Sequence, residues 1–103
     1  MYQISLTIGH NVGVIEALTI DGICDAVTDA LGVEGFTAVP CRGMWRGMAE
    51  KSTRIEIIVD EHNDVTTICN AVPNLAAQLN QEAIMVDVRE SSTMFITPTI
   101  VAA

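Results

Sequence analysis

Apolar and polar residues alternate strictly at the start of the chain. Tyr2, Ile4, Leu6 and Ile8 fall on one side, and Gln3, Ser5 and Thr7 on the other. A period of two with β-branched content predicts a half-buried strand, which the Gly9–Gly13 stretch breaks. From Ile20 the period lengthens: Ile20, Ile23, Cys24, Val27 and Leu31 recur on one helical face, with Asp21, Asp25, Thr28 and Asp29 opposite. Thr19 suits the N-cap, Asp21 the positive end of the helix dipole, and Gly32 the stop. Residues 36–41 predict a second strand that runs into a Gly-punctuated segment, Cys41–Ser52, read as a loop. A third strand follows, in which Ile55, Ile57 and Val59 alternate with Arg54, Glu56 and Ile58. A second helix carries Val65, Ile68, Cys69, Val72, Ala76 and Leu79, with Asn63 or Asp64 as cap. Pro73 inside it removes a backbone bond and predicts a kink or two short helices in line. Ile84, Val86 and Val88 predict a fourth strand, Ser91 and Ser92 a turn, and Thr93–Thr97 a short fifth strand.

The order βαββαβ plus a short extra strand is the ferredoxin-like arrangement of the α+β class, with two helices on one face of an antiparallel sheet. The other face takes Gln3, Ser5, Thr7, Arg54, Glu56, Ile58, Ala83, Met85 and Asp87, a mixture that suits either a sister subunit or solvent. The 103 residues leave room for a single domain. Half of them are hydrophobic while 4% are aromatic, so the core is aliphatic. With 17% charged residues and a mean hydropathy of +0.39, disorder is excluded, and the apolar excess points to surface buried between subunits.

Charge narrows the field. A net charge of −8 argues against nucleic-acid binding, which needs a basic footprint. No apolar run approaches a membrane span, and the start of the chain lacks a signal-peptide pattern. Cys24, Cys41 and Cys69 are unpaired in pattern and read as reduced thiols of a cytoplasmic protein, Cys24 and Cys69 in the core. His10 and His62 stand alone, so no metal site is expected. His10 reads as a loop histidine, with the end of the sheet as the alternative. Phosphate-binding, dinucleotide-binding and hydrolase motifs are absent.

Four of the five basic residues, Arg42, Arg46, Lys51 and Arg54, cluster with only Glu50 against them, leaving +3 on that segment and −11 on the rest of the chain. A basic, Gly-rich loop on an acidic body suits a carboxylate or phosphate ligand, and Trp45 within it offers an aromatic face. A solvated loop with Trp45 anchored in a subunit interface is the competing reading.

The strand order, the segment Gly43-Met44-Trp45-Arg46 and the following Glu50-Lys51-Ser52 resemble the PII-like trimeric superfamily. Within it, Gln81-Glu82-Ala83-Ile84-Met85-Val86 is similar to the corresponding strand of phage-encoded S-adenosylmethionine lyases, which counter host restriction by destroying the methyl donor. The resemblance implies a homotrimer with ligand clefts between subunits and no cofactor. It implies an intramolecular reaction in which the substrate's own carboxylate attacks the carbon beside the sulfonium, giving methylthioadenosine and homoserine lactone. Trp45 would take the aromatic position where the family usually carries Tyr, and Glu50 the carboxylate position, with Glu56 as the second candidate. Gln81 would match the polar residue that opens strand four, while Arg42 and Arg46 are the candidates to hold the substrate carboxylate. A noncatalytic PII-like protein that binds an adenine-type nucleotide, and a purely structural trimer, remain as alternatives.

Overall fold

The alternating run becomes the central strand β1 (Tyr2–Gly9) of a four-stranded antiparallel sheet in the computed structural model, which describes residues 1–99. After it come β2 (Asn11–Val12), β3 (Ile15–Glu16), α1 (Ile20–Leu31), β4 (Thr37–Trp45), β5 (Met48–Val59), α2 (His62–Gln78) and β6 (Met85–Glu90). The main sheet has the order β4-β5-β1-β6, and β2 and β3 form a separate small hairpin. Two helices against an antiparallel sheet of this order agree with the expected ferredoxin-like arrangement.

Ile4, Leu6 and Ile8 are fully buried, as are Ile55 of β5, Ile23 and Val27 of α1, and Leu75 of α2. Each such side chain contributes roughly 1.5–3 kcal/mol on burial. This single aliphatic cluster holds both helices on one face of the sheet. Thr19 caps α1 as expected, its hydroxyl accepting from the Gly22 amide at 3.1 Å, and Gly32 ends the helix. Cys24 and Cys69 pack against the core from partly buried positions. Burial pushes the Cys24 thiol up from its ordinary value, and the charges of Asp21 and Asp25 add to this.

Several expectations are corrected. The N-cap of α2 is Glu61, not Asn63 or Asp64. Asp64 is instead the third residue of the helix, and its carboxylate accepts the Glu61 amide at 3.2 Å in a reciprocal capping box. Of the two alternatives at Pro73, separate short helices are not what forms: one helix runs through it, with Val72 and Leu75 on either side buried and their packing outweighing the lost hydrogen bond. The Thr93–Thr97 strand does not form. The Ser91 amide donates to the Met1 carbonyl at 2.9 Å, the last rung between β6 and the chain at the start of β1, and residues 92–99 leave the sheet. Met94, Phe95 and Ile96 therefore stand 75–85% exposed.

The largest correction concerns the segment read as a loop. Residues 42–54 lie within one long hairpin, paired in register from Thr37↔Glu56 to Trp45↔Met48. The turn is only Arg46-Gly47, with φ of 51° and 78°. A two-residue turn with both φ positive matches the twist of the flanking strands, and glycine takes the second position without strain.

Candidate functional site

The extended hairpin changes where its charges go. Pleating sends successive side chains to opposite faces. Glu50, Ser52 and Arg54 share the face turned away from the helices, and Lys51 lies on the other. Arg46 caps the tip. Lys51 pairs with Glu16 at 3.3 Å, Arg46 with Glu82 at 3.2 Å and Arg54 with Glu56 at 2.9 Å. Arg42 faces Lys51 in register and has no carboxylate within 4.0 Å among the described residues. The expected basic loop is thus four cations sent to different places, three of them already paired.

On the open face, where the hairpin overhangs the end of β1, a cavity of about 730 Å³ lies between the hairpin, the β2–β3 turn and the α2–β6 connection. Its size is that of a small-molecule site. Arg42, Trp45, Arg46, Glu50 and Gln81 all line it. Glu56 does not, since it lies further along β5 and is engaged by Arg54.

Glu50 occupies a cradle made by the backbone. It pairs in register with Gly43, while Gly9 at the end of β1 lies on its other side. A Cβ at Gly9 would fall within 3.0 Å of all three carboxylate atoms of Glu50, so only glycine leaves this volume free. The Asn11 amide donates to Glu50 Oε2 at 3.2 Å. Oε1 has no hydrogen bond among the described residues and is the oxygen available to a ligand. Gln81 Nε2 donates to the Asn11 carbonyl at 3.0 Å and reaches the Leu79 carbonyl at 3.4 Å.

Trp45 is 47% exposed at the rim of the cavity. Its Nε1–H donates to Glu82 Oε2 at 3.2 Å, and Arg46 pairs with the same oxygen while lying 5.8 Å from the indole centroid. One carboxylate therefore ties the hairpin tip to the α2–β6 connection. Met44, Met48 and Met85, each more than half exposed, extend the apolar rim.

His10 is the residue that links β1 to β2, as a loop histidine would be, but it is buried and does not line the cavity. It is 6% exposed, its Nε2 lies 2.8 Å from Thr53 Oγ1, and its carbonyl accepts the amides of Ala17 and Leu18 at 3.0 Å. Cys41 is a free, half-buried thiol on the cavity wall. Among the described residues no group of three or more His, Cys, Asp and Glu is placed to hold a metal. None of the helices is long and apolar enough to cross a membrane. Gly9, Asn11 and Glu82 are the site residues that sequence reasoning missed. Asn11 acts through its backbone, which no side-chain pattern announces, and Gly9 through the volume it leaves empty.

No protein-family model matches the chain, and no curated protein matches it. Solved structures do. The fold superposes on a phage SAM lyase in complex with S-methyl-5'-thioadenosine with a TM-score of 0.71 and 25% identity, over 86% of this chain and 80% of the other. The apo state of a phage SAM lyase matches with a TM-score of 0.70 and 23% identity, over 85% and 78% of the two chains. The chain thus resembles the phage SAM lyases in its fold over most of its length.

Proposed function

We propose that this protein is an S-adenosylmethionine lyase that releases S-methyl-5'-thioadenosine and homoserine lactone, working as a homotrimer whose clefts are completed by neighbouring subunits. In a phage-encoded setting this reaction would remove the methyl donor from the host. The observation that carries the reading is Glu50: a carboxylate held by one backbone amide between two glycines, with a free oxygen in a cavity rimmed by Trp45, in a fold that superposes on a phage SAM lyase bound to methylthioadenosine.

The chemistry suits such a site. A carboxylate oxygen of the substrate attacks its own γ-carbon and closes the lactone C–O bond. The C–S bond breaks, and its electron pair returns to sulfur. Sulfonium and carboxylate charges vanish together and no proton moves, so the site needs no general base. Water stabilises the separated charges more than the transition state in which they fade, so a partly apolar cavity favours the reaction. The protein's task is to hold the folded conformer in line. Glu50 faces the cationic part of the substrate, and the Trp45 ring offers a π-face to the sulfonium or the adenine. Arg42, Arg46 and Arg54 are the cations of the cavity lining and the candidates to meet the substrate carboxylate, Arg42 being the one without a carboxylate partner among the described residues.

Incubation with S-adenosylmethionine followed by mass spectrometry tests the reading. Methylthioadenosine and homoserine lactone should form above the spontaneous background, and Glu50→Gln should cut the rate roughly 100-fold, the scale of losing one preorganised electrostatic contact, with folding unchanged. Intact substrate after hours with folded, assembled protein would overturn it. The rim cations, Arg42 above all, favour one second reading, a noncatalytic binder of an adenine nucleotide. That reading requires a thermal shift with excess nucleotide and no turnover.

A further inference from the structure

We infer that Gln81 is a positioning residue for Glu50, acting through the backbone of Asn11 and not through the ligand; this rests on the lyase reading for its kinetic consequence. Asn11 is held at both of its backbone polar groups. Its amide donates to Glu50 Oε2 at 3.2 Å, and its carbonyl accepts Gln81 Nε2 at 3.0 Å from a residue 70 positions further along the chain. The first contact aims the carboxylate. The second decides whether the first stays in place.

The reason is the weakness of the element that carries Asn11. β2 and β3 are two residues each, joined through Val12↔Ile15 and Asn11↔Glu16. So short a hairpin is not stable by itself in water. Its tethers are the His10 amide, which donates to the Lys51 carbonyl at 2.9 Å, the His10 carbonyl, which accepts from Ala17 and Leu18, the exposed Lys51–Glu16 ion pair, and Gln81. The His10 amide fixes the start of the N-terminal arm, while the His10 carbonyl and the ion pair hold the C-terminal arm at residues 16–18. Asn11 itself is gripped at its amide by the Glu50 carboxylate that it aims, and at its carbonyl by Gln81. His10 anchors the arm up to its own position, and the half-buried Gln81 amide is what fixes the Asn11 carbonyl beyond it.

The geometry also separates this role from direct ligand contact. With Nε2 shared between the Asn11 and Leu79 carbonyls, the donor end of Gln81 is committed to the protein. Loss of that donor leaves the Asn11 carbonyl unpaired and frees Asn11 to turn, and the Glu50 carboxylate loses its fixed direction while its chemistry is intact.

The test is a double-mutant cycle on the full chain. Gln81→Met keeps length and removes the donor, and Gln81→Asn keeps the amide but falls one methylene short. Both should lower the rate of methylthioadenosine formation about 10-fold, the order expected for one lost hydrogen bond that leaves a partner unsatisfied. In a Glu50→Gln background the same changes should cost less than about twofold, because the group they position no longer carries its charge. An equal factor in both backgrounds means that Gln81 acts on the substrate directly and overturns the inference. A ligand-free readout keeps the inference separate from the lyase reading: hydrogen exchange at the Asn11 amide should speed up roughly 5-fold or more in both Gln81 variants, with amides of β1 unaffected. If the wild type shows no turnover, the lyase reading fails while faster Asn11 exchange still supports the tether. Unchanged exchange refutes the tether whatever the activity.

Discussion

Gly9 and Glu50 share one volume, and that makes Gly9 the most informative single position in the site. The atoms that a Cβ there would meet are the far end of a flexible side chain. Gly9→Ala should therefore leave the melting temperature within a few degrees of wild type, since Ala is at least as good a strand residue as Gly. The carboxylate must move aside, however, and lyase activity should fall about 10-fold or more, in line with the cost of a misplaced catalytic group. Activity that survives Gly9→Ala would show that the observed Glu50 position is not the working one. Glu50→Gln, which keeps shape and removes charge, is the complementary change, and a loss there with folding intact separates charge from geometry.

Among the elements, α2 and the β4–β5 hairpin show opposite relations between local preference and packing. Proline in a helix interior costs about 3 kcal/mol because one hydrogen bond is lost and the ring crowds the preceding turn. In α2 the buried run Val65, Ile68, Val72 and Leu75 holds the helix together across Pro73. Pro73 itself is exposed, so Pro73→Ala should raise stability by about 1–3 kcal/mol in urea denaturation; no gain would mean that the helix bends there to fit the core. The hairpin is instead locally consistent, its Arg46-Gly47 turn closing nine paired positions. The same pleat that builds it scatters the basic cluster, which is why four neighbouring cations in sequence do not make one anion site.

The whole molecule carries two surfaces that a lone subunit leaves open. The exposed Met94, Phe95 and Ile96 follow the last strand, and the methionines and Trp45 border the cavity. A homotrimer would cover such surface, as proposed above, but each copy carries −8. Association must work against that repulsion, which salt screens over about 8 Å at physiological ionic strength. Light scattering should therefore give three times the 11.0 kDa chain at ~0.15 M salt, and partial dissociation at ~0.01 M. A monomer at both strengths would remove the basis for clefts between subunits.

Hydrophobic periodicity alone determined the major strands, both helices and the aliphatic core, because alternation at period two and at 3.6 is written residue by residue. Thr19 and Gly32 marked the ends of α1 for the same local reason. The resemblance brought forward Glu50, Trp45 and Gln81, and all three line the same cavity. Local pattern failed where the outcome depends on a partner far along the chain. Gly43 and Gly47 suggested a loop, yet the β5 pairing extends both strands to the tip; Thr93–Thr97 has strand composition but pairs with no strand among the described residues. His10, in the β1–β2 link, is buried against Thr53, 43 positions away. Above all, Glu50 took its direction from Gly9 and Asn11, one through absent volume and the other through a backbone amide. Only tertiary structure decides such contacts, because every residue type except proline carries the same amide and its aim is set by the folded chain.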